Sequence, residues 1–110
     1  MEPMSTPQIE ELNLLHAHVC QALGDPKRIQ IIFLLHEEPR RVSDLAAALD
    51  APQPTVSRHL SVLRQRSLVT RERIGTSSVY HLTDPRIIDV LNTMRLLLRD
   101  VLERQSNMLQ

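Results

Sequence analysis

Side chains able to read DNA bases recur along a predicted helix in the middle of the chain, residues 53–66. The residues that carry hydroxyl, amide, imidazole or guanidinium groups there are Gln53, Thr55, Ser57, Arg58, His59 and Ser61. Such groups bond to base edges in the DNA major groove, where arginine pairs with guanine. An ordinary amphipathic surface helix would show the same pattern, so both interpretations stay open for the helix alone.

The side of this helix opposite Arg58 and Ser61 is apolar, and Thr55 and Ser57 lie on its flanks. At about 100° per residue, Val56, Leu60 and Leu63 fall within about 60° of one another and form a narrow stripe. Pro54 suits the first helical position, where its missing N–H would have no partner. The stripe would hold the helix to a core while its polar side faces outward, as a helix in the major groove requires. His59 lies beside the stripe, where it would either orient a phosphate contact or fill a partly buried space.

A cluster of soft metal ligands lies near the start of the chain and comprises His16, His18 and Cys20. His16 and Cys20 are four residues apart and share a helix face, so two copies of the chain could bring two sets together around a metal. Cys20 could instead be a redox sensor or a small buried apolar residue. Cys20 and His16 could be a nucleophile and a base, but an enzyme would also need a group that orients the base and a glycine-rich oxyanion loop, which the sequence lacks. We therefore expect neither an enzyme nor a cofactor.

The composition bounds the class of protein. With 110 residues, 42% of them hydrophobic and 24% charged, the chain predicts one globular domain, residues 1–110. Phe33 and Tyr80 are the only aromatic residues, so the core must be aliphatic. A single cysteine excludes an internal disulfide and fits a reducing cytoplasm, where we expect the protein. No apolar run approaches the ~20 residues of a membrane span, and no membrane contact is expected.

Cap residues predict three helices ahead of residues 53–66. Their proposed N-caps are Thr6, Asp25 and Ser43. The first helix should end at Gly24 and the second at residues 37–39. The third, residues 44–49, is joined to the candidate DNA-reading helix by a tight connection, which is the spacing of a helix-turn-helix.

After Arg66 the period of apolar residues changes from about 3.6 to 2. Residues 68–73 and 78–82 predict two strands, and Gly75 supplies the positive φ that a tight hairpin turn between them needs. A hairpin directly after a helix-turn-helix is the winged-helix arrangement, and it would contact phosphates or a minor groove. The hairpin residues expected to do so are Arg71, Arg73, Thr76 and Ser77. The expected fold is therefore mainly α, of the α+β class, with five helices and a two-stranded hairpin wing.

Residues 83–85 would cap a long last helix whose apolar residues follow a 4-3-4-3 spacing. This stripe is larger than one small domain can cover, which indicates a homodimer whose two-fold interface also uses the first helix. The residues expected at this interface are Leu12, Leu15, Val19, Leu91, Met94, Leu98 and Val101. The alternative is a last helix that packs back onto its own core.

Charge is unevenly distributed along a chain whose net charge is zero. Residues 1–52 carry eight acidic and four basic residues, whereas residues 53–86 carry six basic and two acidic residues. The local excess of positive charge coincides with the candidate DNA-reading helix and the hairpin, and it favours double-stranded DNA as a partner. Arg64 and Arg66 would either touch phosphate or only solvate the end of the helix.

Two motifs in this setting resemble the ArsR/SmtB family of winged-helix repressors. They are Leu-Gly-Asp-Pro-Lys-Arg at residues 23–28 and Thr-Val-Ser-Arg-His-Leu at residues 55–60, and the resemblance covers nearly the whole chain. It implies a homodimer that binds a palindromic operator and leaves the DNA when an inducer binds. The chain departs from the family at Ser67, where a glycine usually ends the recognition helix.

The resemblance fails at the family's inducer sites. In place of the Cys-x-Cys of the arsenic- and lead-sensing members, this chain has Arg41-Val42-Ser43. In place of the Asp-x-His and His-x-x-Glu of the zinc-sensing members, it has Asp84, Arg86, Leu97 and Asp100. A carboxylate pair without imidazole or thiolate is a poor site for zinc, cadmium or arsenite.

We therefore expect a repressor without the family's metal sites, whose inducer is unknown. Two alternatives remain. One is a metal- or redox-responsive repressor that uses the cluster of His16, His18 and Cys20. The other is a dimeric interaction module that no longer binds DNA.

Overall fold

Five helices and three short strands occur along residues 5–108, the part of the chain that the computed structural model describes. The helices are α1 (Ile9–Leu15), α2 (Pro26–Glu37), α3 (Val42–Leu49), α4 (Gln53–Gln65) and α5 (Arg86–Met108). The strands are β1 (Arg40–Arg41), β2 (Val69–Ile74) and β3 (Ser77–Leu82). A π-helical turn, His16–Cys20, follows α1 directly. This arrangement confirms the expected mainly helical fold with a hairpin wing.

The core lies between α2, α3, α4, the start of α5 and one face of the sheet. Its completely buried large side chains are Ile31, Ile32, Leu45, Val56, Leu60, Leu63 and Val69. Tyr80 is buried and Phe33 half-buried, so the core is aliphatic, as expected. Burying an aliphatic side chain contributes about 1.5–3 kcal/mol. The three buried residues of α4 therefore hold this helix firmly to the core and leave its polar side outside.

The sheet contains three antiparallel strands in the order β1-β3-β2. Gly75 and Thr76 connect β2 to β3, and the φ of Gly75 is 62°, as the predicted hairpin turn requires. Strand β1 adds to the two predicted strands, because Arg40 pairs with Tyr80 and Arg41 with Val79. A strand of two residues is too short to show the alternation by which strands are recognised in a sequence.

The N-terminal helix differs from the predicted one. α1 starts at Ile9, and its N-cap is Gln8, whose side chain makes no capping hydrogen bond. Thr6 is therefore not the cap, since it lies two residues too early to bond the first turn. At His16 the helix widens, because the carbonyl of His16 accepts a 2.9 Å hydrogen bond from the N–H five residues later. The prediction of one continuous α-helix up to Gly24 is therefore wrong.

The start of α3 also differs. The helix begins at Val42 with Arg41 as its N-cap. The Asp44 carboxylate accepts a 3.2 Å hydrogen bond from the Arg41 N–H. This contact reaches back from the third helical residue, as in a capping box, and replaces the predicted cap at Ser43.

Asp25 and Asp84 cap α2 and α5 as predicted. The Asp25 carboxylate accepts a 2.8 Å hydrogen bond from the Lys27 N–H, and Asp84 accepts one of 2.9 Å from the Arg86 N–H. The Lys27 N–H is the main reason that the pKa of Asp25 lies below its usual value. The pKa of Asp84 is lowered chiefly by the Arg86 side chain.

α3 and α4 each end at a residue with a left-handed backbone, Asp50 with a φ of 50° and Ser67 with a φ of 62°. After α4 the Leu68 N–H donates to the Leu63 carbonyl at 3.0 Å, and the Ser67 N–H donates to the Arg64 carbonyl at 3.0 Å. This pair of bonds is a Schellman motif, which usually has glycine at its left-handed position. The motif turns the chain from α4 into β2.

Candidate nucleic-acid interface

The polar side of α4 is exposed, as the periodicity predicts. Gln53, Ser57, Arg58 and Ser61 are exposed, and Thr55 and His59 are half-buried. The Arg58 Nη2 lies 3.5 Å from the Thr55 Oγ1, a weak contact that leaves most of the guanidinium donors free. The donors of this side are therefore available to a partner.

The polar residues of the hairpin lie next to this helix. Arg71, Arg73 and Thr76 are exposed, and Ser77 is half-buried. Arg71 is paired with the buried Tyr80 in the sheet, so both point to the same side, toward α4. Arg73 shares that side, because residues two apart in a strand face the same way. Glu72 points to the other side, where its carboxylate lies 2.9 Å from the Nε2 of His81.

A groove of about 260 Å³ separates α4 from the hairpin. Arg64, Ser57 and Ser61 line it from α4, and Arg71 lines it from β2. Guanidinium and hydroxyl groups are strong donors to phosphate oxygens. Arg64 was not among the predicted DNA-binding residues. The feature of the sequence that points to Arg64 is the pair Arg64 and Arg66 near the end of the helix.

The arginines of α4 and the hairpin have no acidic partners in the part of the chain that the structure describes. Within residues 5–108 no ion pair involves Arg58, Arg64, Arg71 or Arg73, whereas Arg86 pairs with Asp84 at 2.7 Å. Clustered unpaired cations attract an anionic partner. We call the exposed residues of α4 and of the hairpin the helix–wing surface.

A second surface, on α1 and α5, is apolar. Leu12, Leu15, Met94 and Leu98 are between 40% and 55% exposed, and Val19 and Val101 are half-buried. Leu91 is the exception among the predicted interface residues, because it is 3% exposed and packs in the core of its own chain. Val90 and Leu97, which were not among the predicted residues, are about half exposed. We call Val90, Met94, Leu97, Leu98 and Val101 the apolar face of α5.

The cluster of His16, His18 and Cys20 lies in the π-helical turn, and all three residues are exposed. The interpretation of Cys20 as a buried apolar residue is therefore wrong for the single chain. Within residues 5–108 of one chain, no three His, Cys, Asp or Glu side chains are placed to hold a metal ion. None of the helices described here has both the length and the apolar character to cross a membrane.

Comparison with known sequences places these elements in a family. A family model described as "Bacterial regulatory protein, arsR family" matches residues 25–71, which run from the start of α2 into β2. Over 71 residues the chain is 41% identical to the transcriptional repressor SmtB of Mycobacterium tuberculosis. This match covers 64% of the chain and 53% of SmtB, so the chain spans about half the length of that relative. A longer match, 31% identical over 102 residues, covers 92% of the chain and 90% of the transcriptional regulator Rv0081 of the same species.

Solved structures show the same fold. The crystal structure of Rv0081 superposes with a TM-score of 0.75 at 29% identity, and the match covers 91% of this chain and 98% of that one. The homodimeric winged helix-turn-helix DNA-binding domain Mb0332 of Mycobacterium bovis, solved in solution, has a TM-score of 0.75 at 27% identity. That match covers 94% of this chain and 95% of the domain. Sequence and fold agree, and the chain belongs to the ArsR/SmtB family of winged helix-turn-helix transcriptional regulators.

Proposed function

We propose that the chain is a transcriptional repressor that binds a palindromic DNA operator as a homodimer. The observation that carries the proposal is the helix–wing surface, where an anchored helix and a hairpin present arginines without acidic partners among residues 5–108. SmtB is a transcriptional repressor, and Mb0332 is a homodimeric DNA-binding domain. These relatives support the same roles here.

In this proposal α4 lies in the major groove with its N-terminal half against the bases. The residues nearest the bases are Gln53, Thr55, Ser57 and Arg58. His59, Ser61 and the hairpin residues Arg71, Arg73, Thr76 and Ser77 hold the backbone or the adjacent minor groove. Backbone contacts set the orientation of the protein, and base contacts select the sequence.

The second copy of the chain covers the apolar face of α5 and the leucines of α1. Ile88 and Leu91 turn into the core of their own chain, whereas Met94 and Leu98 stay about half exposed. Residues 92–100 are exposed throughout, so this part of α5 keeps apolar surface that its own chain does not bury. A two-fold dimer also matches the two-fold symmetry of a palindrome.

We propose that neither of the family's usual metal positions binds metal in this chain. The Arg86 guanidinium lies 2.7–3.2 Å from the Asp84 carboxylate oxygens, which places a cation where a metal would have to bind. A tight zinc site needs about four N, S or O donors.

Titration of the protein–DNA complex with zinc, cadmium and arsenite should therefore release no DNA. Release of the wild type but not of Cys20→Ser would instead assign the signal to the cluster in the π-helical turn.

Selection of duplexes from a random-sequence pool tests DNA binding with the full chain. We expect an inverted repeat whose half-sites lie about 34 Å, or one helical turn, apart. We also expect the affinity for this duplex to fall steeply with salt. No enrichment, together with equal and weak binding to all duplexes, would favour the interaction module that no longer binds DNA.

A further inference from the structure

Arg28, in the first turn of α2, joins two parts of the chain that are far apart in sequence. Its Nε donates to the Ala22 carbonyl at 2.6 Å, and its Nη2 donates to the Gln21 carbonyl at 3.1 Å. The remaining nitrogen, Nη1, lies 3.4 Å from the Nδ1 of His59 on α4. One side chain therefore connects the end of the N-terminal helical segment to the helix of the helix–wing surface.

This contact favours one of the two tautomers of a neutral His59 ring. A guanidinium can only donate, so the contact is a hydrogen bond when the Nδ1 accepts, and the neutral ring then carries its proton on Nε2. His59 is half-buried, and within residues 5–108 no buried side-chain nitrogen or oxygen lacks a hydrogen-bond partner. The Nε2 has no partner among the same residues and therefore reaches solvent, where it can donate to a ligand.

We propose that Arg28 is a positioning residue for DNA binding, which holds His59 as the Nε2–H tautomer so that this N–H donates to a phosphate oxygen of the DNA backbone. The inference rests on the proposed function, because it needs α4 to lie against DNA. Arg28 itself keeps its bonds to the two carbonyls. Its effect on DNA therefore passes through His59.

A double-mutant cycle tests this dependence. The variants are Arg28→Met, His59→Leu and the double variant, and the probe is the duplex that the wild type selects, measured by fluorescence anisotropy at about pH 8. Each single variant should weaken binding about two- to tenfold, the range of one hydrogen bond. The double variant should bind like the single variants, because Arg28 acts through His59. Losses that multiply in the double variant would overturn the proposal.

Two further variants separate this role from charge and packing. Lys27→Met removes the same charge from the neighbouring exposed residue, and it should bind like the wild type. His59→Asn keeps an acceptor for Arg28 but lacks the Nε2 donor, so it should bind as weakly as His59→Leu. Wild-type affinity in His59→Asn would show that His59 only anchors Arg28. The salt dependence should stay unchanged in the His59 variants, because a neutral imidazole displaces no counterion.

The ¹⁵N chemical shifts of the wild-type imidazole test the contact without any variant or DNA. The proposal predicts a protonated Nε2 and an unprotonated Nδ1 in His59, and a share of the other tautomer in Arg28→Met. A proton on Nδ1 in the wild type would overturn the Arg28 contact, whatever the protein binds. A wild type that binds no duplex would overturn the proposed function and the phosphate contact, and the shifts would still decide whether Arg28 holds the ring.

Discussion

Arginine side chains make different kinds of contact along residues 5–108. Arg28 and Arg40 donate to backbone carbonyls and hold neighbouring segments together. Arg86 pairs with Asp84 at the start of α5. The arginines of the helix–wing surface have no acidic partner within residues 5–108. Because an unpaired charge is costly to bury, such groups stay exposed until an anion covers them.

Arg71→Ala tests the contribution of the hairpin to this surface. We expect it to weaken binding to all duplexes alike, because a phosphate contact carries no sequence information. The plot of log affinity against log salt should become shallower by about one for each phosphate that the variant no longer neutralises. Arg99→Ala is the matched control, since Arg99 is exposed on α5 and lies outside the helix–wing surface. An unchanged salt dependence in Arg71→Ala would remove the hairpin from the interface.

At the scale of the elements, the end of α3 sets the direction in which α4 begins, and the end of α4 sets the direction in which the hairpin begins. Both helices end in a left-handed residue that is not glycine, Asp50 after α3 and Ser67 after α4. Asp tolerates this conformation better than most residues, whereas Ser has no such preference. The end of α4 is therefore the more strained of the two.

Ser67→Gly should raise the free energy of unfolding by about 1 kcal/mol. The left-handed conformation costs an L-residue roughly 1–2 kcal/mol, and the greater freedom of glycine in the unfolded chain offsets part of the gain. Ser67→Ala keeps the Cβ atom and should give no gain. Urea unfolding followed by far-UV circular dichroism measures both variants. A loss of stability in Ser67→Gly would show that the Ser67 side chain makes a compensating contact.

The parts of the fold that the sequence predicts are those decided within one turn of chain. Asp25 before Pro26 caps a helix, and Gly75 turns the hairpin, because each effect depends on immediate neighbours. Strand β1 was missed because it exists only through pairing with β3, which lies far along the chain. Leu91 was predicted at the dimer interface but is buried in its own chain. The heptad spacing gives the apolar residues of α5 but does not say which of them face α2. For Arg64 the sequence left two interpretations open for a similar reason, since its place in the groove depends on where the hairpin lies.

At the scale of the whole molecule, the polar and apolar surfaces lie on different elements. The molecule measures 54 × 38 × 24 Å, and α5, with 23 residues, is its longest helix. Its buried residues are Ile88 and Leu91, both near its start. In the proposed dimer the exposed part of this helix contributes its apolar surface to the partner subunit, which leaves the helix–wing surface free for the proposed contact with DNA.

Leu98→Asp and Leu96→Asp form a matched pair that tests this division. The two leucines are 55% and 58% exposed but lie on opposite sides of α5, about 200° apart at helical spacing. A charge at Leu98 would be buried without a partner in the dimer, at a cost of several kcal/mol. Sedimentation at micromolar concentration should show a monomer for Leu98→Asp and a dimer for Leu96→Asp. A dimer in both variants would place the interface between copies elsewhere.

The most direct test of the central claim, that α4 reads DNA bases, is the binding of Arg58→Ala to the selected operator and to operators changed at single positions. The control is Arg64→Ala, because Arg64 is on the same helix but lines the groove between α4 and the hairpin. This variant should weaken binding to all sequences alike. Arg58→Ala should lose about 1–3 kcal/mol per half-site on the operator and should lose its preference at one position of each half-site. Unchanged affinity together with unchanged sequence preference in Arg58→Ala would contradict the account.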